Sequence, residues 1–459
     1  MGHSSQPSRV TLATNHQRQA AGWFKLNFPE RIDKNRFFQF YTHMPIVRTL
    51  TNSVMLPNGI NTIVAYTNYM GENQDDSCVL GKSFVDRGGF DGMFYKTETL
   101  KLEKGQELAT PNFATTRGYK SNANYNKLVD GLVKVGTIIQ TGDIIMGIIE
   151  KIVKTKNAQG DDKYTHVDKS KIYTLSEEAV VEKVYTCRDA HDTKYCVVKL
   201  GVYRKITTGD KLASRSGNKS IAAHVVSESD MIYTEDGVPI DLVINPHSFP
   251  TRMAIGQLYE GMASIVGAYT GKSINGTTFL NIYADDFIRE IESLGLGYCG
   301  LKTAYNGITG EPFDIALFIA PTYEQRLQKF VNDDEQRVGL MATPDPITRQ
   351  PIRGKSVAGG LKLGEMENSA LFSHGVGNTY LEKIHIDSNG CDTYICRGCN
   401  YVAVVNKAKG IHRCKNCKSH ADIEKIPTTY SALIIQYYLA TCGVDFKQKI
   451  KPREFPVTF

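Results

Sequence analysis

Residues 209–220 read Gly-Asp-Lys-Leu-Ala-Ser-Arg-Ser-Gly-Asn-Lys-Ser, in which two turn-forming glycines accompany three cations, Lys211, Arg215 and Lys219. Such a loop can offer ammonium and guanidinium groups together with backbone N–H to phosphate oxygens. Taken alone, the segment reads more simply as a solvated basic loop, so its surroundings must decide. Gly-Lys-Ser tripeptides beginning at Gly81, Gly271 and Gly354 look like the end of a P-loop. That motif needs another glycine five residues earlier. Those positions hold Asp76, Val266 and Arg349, which excludes the P-loop NTPase class.

The chain has 459 residues, enough for two to four compact domains. With 22% charged and 41% hydrophobic residues it is neither disordered nor collagen-like. Lys+Arg 54 against Asp+Glu 48 gives +6, so an anionic partner must be held by local clusters rather than by net charge. No uncharged apolar run reaches membrane-spanning length, and the N-terminus lacks the apolar stretch of a signal peptide. The expectation is a soluble intracellular protein.

From Gly59 the run Gly-Ile-Asn-Thr-Ile-Val-Ala-Tyr alternates apolar and polar residues, the signature of a half-buried strand. Similar β-rich text covers 128–153 and 179–203, and the polar stretch 154–171 between them suits a protruding hairpin tip or an insertion. Thr251 is placed to cap a helix whose stripe would be Met253, Ile255, Leu258, Met262 and Ile265. Further helices are expected over 285–293 and near 428–441. Tyr283-Ala-Asp-Asp286 looks like the metal-binding turn of reverse transcriptases, but the following Phe-Ile-Arg-Glu-Ile-Glu makes the aspartates helix N-terminal residues instead.

Ten cysteines without a secretion signal point to metal binding or structural thiols rather than disulfides. Cys396-Arg-Gly-Cys399 and Cys414-Lys-Asn-Cys417 form two C-x-x-C knuckles at the spacing of a zinc ribbon. Four thiolates complete a tetrahedral shell with no open position, so the reading is a structural Zn²⁺ that helps a small module fold. Cys391, His412 and His420 lie near but lack a knuckle partner.

In order, the chain carries Gly-Asp-Lys-Leu-Ala-Ser-Arg-Ser-Gly-Asn-Lys from 209, Asp-Leu-Val-Ile-Asn-Pro-His-Ser-Phe-Pro-Thr-Arg-Met over 241–253, Thr-Arg-Gln-Pro over 348–351, and Gly-Gly-Leu-Lys-Leu-Gly-Glu-Met-Glu over 359–367. Ser8-Arg9 and Gln74-Asp75-Asp76-Ser77 lie upstream and the cysteine knuckles downstream. The set resembles the C-terminal half of the second-largest (β) subunit of multisubunit DNA-dependent RNA polymerases. The resemblance implies a β-rich, mixed α/β, multi-domain chain. Residues 1–58 would be an active-site-proximal segment, and 59–275 a hybrid-binding double-psi β-barrel with a wall or flap insertion at about 96–175. Residues 276–390 would be an anchor and switch region, and 391–459 a zinc ribbon with a clamp-contacting helix.

It further implies that Lys211 and Lys219 are catalytic residues that approach the RNA 3′ end and the initiating nucleotides, and that Arg9 and Arg252 meet the incoming triphosphate. Asp76 would lie near a second Mg²⁺, acting through water. Arg215, Arg349, Gln350, Lys355 and Lys362 would contact the backbone of the RNA–DNA hybrid and template. Departures from the family pattern are Asp75 for Glu, Ser216 for His and Ser220 for Gly, none of which removes a phosphate-binding cation. The Asp-rich loop that holds catalytic Mg²⁺ in the largest subunit has no counterpart in this sequence. The resemblance therefore implies a nucleotidyltransferase subunit inactive alone, working with a largest (β′-like) subunit and a separate chain for the missing half of β. Such splitting is similar to giant-virus and jumbo-phage polymerases, which would place the protein in the host cytoplasm or the virion. The competing reading is a non-catalytic zinc-ribbon transcription factor on a polymerase-like scaffold.

Overall fold

A computed structural model describes residues 5–23, 25–27, 30–156, 162–188, 190, 193–338, 342–418 and 422–451. The chain divides into two units, Met1–Asp333 and Asp334–Phe459.

The first unit is built on a seven-stranded sheet containing Ser77–Gly81, Leu242–Ile244, Ile60–Tyr66 and Leu317–Arg326 as neighbours, in that order, with Lys219–Val226 and Lys211–Ser214 beyond Ser77–Gly81. Leu242–Ile244 runs parallel to Ile60–Tyr66 and antiparallel to Ser77–Gly81, so distant segments meet through crossovers rather than hairpins. Both faces of the sheet are covered. Val64, Leu80, Leu212 and Leu242 pack on one side with Phe249 and Ala254, while Ala65, Val79, Val243 and Ile319 pack on the other with Met231 and Ile232. Double coverage explains why Ser77–Gly81 and Leu242–Ile244 read as nearly continuous apolar text, and it corrects the half-buried reading of Ile60–Tyr66, which packs on both faces. The sheet groups residues 317–326 with the strand that begins at Ile60, so the first unit extends to residue 333.

A second, antiparallel sheet pairs Gly92–Lys101 with Lys194–Arg204, and the latter with Ala179–Arg188. Residues between these strands form two four-stranded sheets over a core of Ile139, Ile144, Met146 and Leu200. The expected hairpin is present as Ile148–Lys156 against Asp162–Asp168, and its tip at 157–161 lies outside the described residues.

Two helix expectations need correction. Thr251 does not cap the long helix: it sits inside a short helix, Ser248–Arg252, and its Oγ1 donates to the carbonyl of His247. Met253 then turns left-handed (φ 51°), and the long helix is Gly256–Thr270. Met253 and Ile255 are exposed and Ile265 is buried, with Leu258 and Met262 partly buried against the core; the buried positions also include Gln257, Glu260, Gly261, Ala263 and Val266. The reason is close approach to strand Leu317–Arg326: a Cβ on Gly261 would stand 2.9 Å from the Phe318 ring. Gly261 faces the strand at a point where a larger residue does not fit. Asp285 and Asp286 do begin a helix, Ala284–Ser293, where they complement its positive end.

The second unit contains helices Glu365–His374, Gly377–Leu381 and Tyr430–Thr441, with a ladder pairing Gly390–Cys396 to Ile423–Thr429. Among the described residues, no helix is long and apolar enough to cross a membrane.

Candidate nucleotide-phosphate cleft and metal centre

The segment 209–220 folds as a hairpin whose strands Lys211–Ser214 and Lys219–Val226 pair Lys211 with Ile221 and Ala213 with Lys219. Partners in a ladder project to the same face, so Lys211 and Lys219 share one side of the hairpin, one diagonal step apart. The turn is held against helix Pro7–Gln19: Gly217 has φ 81°, and a Cβ there would stand 2.3 Å from the carbonyl oxygen of Arg9. Only glycine allows that approach, which seats Arg9 beside the hairpin turn.

A cleft of about 410 Å³ opens at the hairpin, lined by Asp75, Asp76, Asn218, Lys219, His247 and Arg252 among others. Asp75 and Asp76 both adopt left-handed backbone, φ 49° and 72°. The Asp76 carbonyl accepts from the Ile221 N–H at 2.9 Å, tying this bend to the hairpin. Arg252, the last residue of helix Ser248–Arg252, forms an ion pair with Asp76 and donates from Nη1 to Asn218 Oδ1 at 3.1 Å. Lys219 is exposed, and among the described residues neither it nor Lys211 or Arg9 enters a salt bridge. Among the described residues, no carboxylate is within ion-pair distance of these cations. Buried His16 registers their field: its pKa is lowered first by burial, then by the charges of Lys219 and Arg9.

Arg215 is placed differently from the other cations of its segment. Its guanidinium donates to Glu260 Oε1 at 2.6 Å and to the Val47 carbonyl at 2.9 Å, and lies over the Tyr323 ring at 4.9 Å. Beside this pair, Glu324 is fully buried, and desolvation together with the charge of Glu260 raises its pKa well above the usual carboxylate value. Gln257 bridges the buried group to the cleft, donating from Nε2 to Glu324 Oε1 at 3.4 Å and accepting from Asn218 Nδ2 at 3.4 Å. Asn218, Gln257, Glu260, Glu324 and His16 were not singled out from the sequence. For Gln257 and Glu260, polar residues on a buried helix face are the available signal, but it becomes visible only once the face is known.

In the second unit, Arg349 stacks on Tyr430 with its guanidinium 4.0 Å from the ring centroid, and Gln350 donates to Ser431 Oγ at 3.2 Å. Both are therefore directed at the start of helix Tyr430–Thr441. Gln350 and Lys362 line a cleft of about 900 Å³, while Lys355 begins a short 3-10 turn.

The sulfur atoms of Cys396, Cys399, Cys414 and Cys417 lie within 4.8 Å of one another. A tetrahedral Zn–S shell has S···S edges of about 3.8 Å, so the set is close to a binding geometry without ligands from elsewhere. The two knuckles repeat one conformation. Asn400 N–H donates to the Cys396 carbonyl and Lys418 N–H to that of Cys414, with φ 62° at Asn400 and 49° at Lys418. Backbone N–H of Cys417 and Asn416 hold the Cys414 thiol down to about 7, whereas its neighbours push the Cys417 thiol up to about 12. Four crowded sulfurs resist carrying several negative charges at once unless a cation is among them. Cys391 and His412 are not in the cluster, and His420 lies outside the described residues.

The description "RNA polymerase Rpb2, domain 6" matches residues 1–357. The chain belongs to the Rpb2 family. "RNA polymerase Rpb2, domain 7" follows at residues 359–451. Among curated Rpb2 relatives, the chain is similar to DNA-directed RNA polymerase II subunit 2 of Arabidopsis thaliana, 32% identical over 96% of this chain and 38% of the relative. It is likewise similar to RNA polymerase II subunit RPB2 of Encephalitozoon cuniculi, 32% identical over 98% of the chain and 40% of the relative. RNA polymerase III subunit RPC2 of Drosophila melanogaster is 30% identical over 96% and 39%. The chain thus spans about 40% of the length of these relatives, and nearly all of it matches family domains 6 and 7.

Proposed function

We propose that this chain acts as the C-terminal part of the second subunit of a multisubunit DNA-directed RNA polymerase, binding nucleotide phosphates, the RNA 3′ end and the RNA–DNA hybrid. The observation that carries the reading is the cleft itself, which is lined by Asp76, Lys219 and Arg252 from three separate segments. Phosphoryl transfer is mainly positioning and charge stabilisation, and cations aimed at the β and γ phosphates assist a leaving pyrophosphate. Arg252 supplies a planar fork and Lys219 a point charge. Lys211, on the same hairpin face, would reach the RNA end, and Arg9 the triphosphate.

The Asp76 carboxylate would face Mg²⁺ through water, with the catalytic Mg²⁺ itself held by the largest subunit. Arg215, consumed by Glu260 and Tyr323, would serve nucleic acid by stiffening the hairpin rather than by touching phosphate. Arg349, Gln350, Lys355 and Lys362 would contact hybrid backbone. The four cysteines would hold a structural Zn²⁺, the double-psi barrel would be formed by the seven-stranded sheet region, and the residues after 390 would form the ribbon and clamp contact.

The test is purification of the tagged chain from its native source, with mass spectrometry of what accompanies it and assay of the pool for templated NTP incorporation. A companion bearing an Asp-rich Mg²⁺ loop, with activity, is the expected result. The same experiment tells whether further β-like sequence arrives on a separate chain. Recovery of the chain alone, binding nucleic acid without activity, overturns the polymerase reading in favour of a zinc-containing binding protein.

A further inference from the structure

Beneath the cleft, a file of polar side chains runs from the sheet core to Arg252. Gln257 stands at its centre, fully buried in the first turn of helix Gly256–Thr270. Both ends of its amide are used. Nε2 donates to the Tyr66 hydroxyl at 3.3 Å and to Glu324 Oε1 at 3.4 Å, while Oε1 accepts from Asn218 Nδ2 at 3.4 Å. Reversing the amide would set two NH₂ groups against each other, so the network defines its orientation. Asn218 Nδ2 also donates to Ser248 Oγ at 3.3 Å, leaving Oδ1 for Arg252 Nη1 at 3.1 Å. Tyr66, in turn, is bonded to Thr322 at 3.0 Å. The file thus begins on central strands Ile60–Tyr66 and Leu317–Arg326 and ends on a guanidinium in the cleft.

We propose that Gln257 is a positioning residue for substrate phosphate: it holds Asn218, and through Asn218 it sets where the Arg252 guanidinium sits. The inference rests on the nucleotide-site reading of the cleft. Arg252 needs such support, because its helix is only five residues long and is followed at once by left-handed Met253. A long, free guanidinium loses much rotamer entropy when a ligand fixes it. Asp76 also holds Arg252, yet an incoming phosphate competes with a carboxylate for the same cation. The neutral Asn218 carbonyl makes no such competition, so its bond can persist in the loaded site. The Gln257 bonds are long, 3.3–3.4 Å, and the strength of the device lies in its connection to the sheet core rather than in any one contact.

The experiment is a double-mutant cycle on the assembled complex, reading KM for NTP and kcat in templated incorporation, with thermal unfolding as a parallel measurement. Gln257→Leu is expected to raise KM by about 3- to 10-fold, the range of one or two neutral hydrogen bonds. In an Arg252→Ala background the same change should add nothing, because the residue through which it acts is gone. Gln257→His, which keeps one donor and one acceptor, should stay within about twofold of the unmodified complex, and it serves as the reporter if Gln257→Leu does not assemble. An equal KM penalty for Gln257→Leu with and without Arg252 overturns the proposal and reduces Gln257 to packing. A tenfold KM increase in Gln257→His matching that of Gln257→Leu does the same. If Arg252→Ala and Lys219→Ala both leave KM unchanged, the failure lies instead in the nucleotide-site reading, and the inference falls with it.

Discussion

Replacing Glu324 by Gln isolates the electrostatic cost stored under the cleft. Glu324 is 1% exposed, faces Gln257 Nε2 at 3.4 Å, and lies near Glu260. Burial first, and then the charge of Glu260, raise its pKa well above the ordinary 4.5, against a smaller opposing effect from Arg215. In the unfolded chain the carboxyl loses its proton near the ordinary value, while the folded protein keeps it. The folded state therefore binds the extra proton, and the contribution of this group to stability is fully present below the unfolded pKa and drains away as pH rises toward the folded one. The slope is about 1.4 kcal/mol per pH unit across that window.

Gln has the shape of the protonated acid and does not titrate. Glu324→Gln should match the parent at pH 4 to within about 0.5 kcal/mol. Above that pH its advantage should grow by about 1.4 kcal/mol per unit, until the folded pKa is reached. For units somewhat smaller than this one, 1 kcal/mol corresponds to about 2–4 °C in Tm, so the separation on thermal unfolding at pH 7 is measurable. The assay is Tm against pH for both purified chains, where other titrating groups cancel in the difference. Parallel curves, or a variant less stable at every pH, would refute a neutral buried Glu324.

Changing Cys396 and Cys399 together to Ser should release the bound metal and loosen the second unit; zinc content by mass spectrometry checks it, and an unchanged ratio refutes the four-cysteine site. Lys219→Ala should raise the KM for NTP about 10- to 100-fold, the range of a charge-assisted contact, without dissociating the complex; normal initiation and KM would remove Lys219 from the site. Gly217→Ala should cost about 2 kcal/mol or more, since φ is 81° and the new Cβ would meet the Arg9 carbonyl at 2.3 Å. A denaturation midpoint unchanged from the parent would show that the Pro7–Gln19 helix does not rest on the hairpin turn.

Local chemistry carried a good part of this architecture. The alternation after Gly59, the acidic start of helix Ala284–Ser293 and the paired C-x-x-C knuckles are all short-range signals, and the corresponding elements are present. Helix Tyr430–Thr441 begins within two residues of its expected start. Thr251 and the first two stripe positions, Met253 and Ile255, misled because spacing alone does not say which face of a helix meets a strand, whereas Ile265 is buried as expected. At Gly261 the neighbouring strand demanded a small residue, against the usual preference for large apolar ones.

The sequence by itself determined the family resemblance, the cysteine cluster and the set of cations available for phosphate, because each is a local pattern of residue type and spacing. Only the tertiary structure decided how those cations are used. Arg215 and Arg252 look alike in the chain, yet Glu260 and Tyr323 enclose the first, whereas the second reaches the cleft beside Asp76 and Asn218. Their partners come from strands and helices remote in sequence, joined by parallel crossovers in the seven-stranded sheet. Electrostatic roles follow from distance and burial, and neither exists until those segments have packed together.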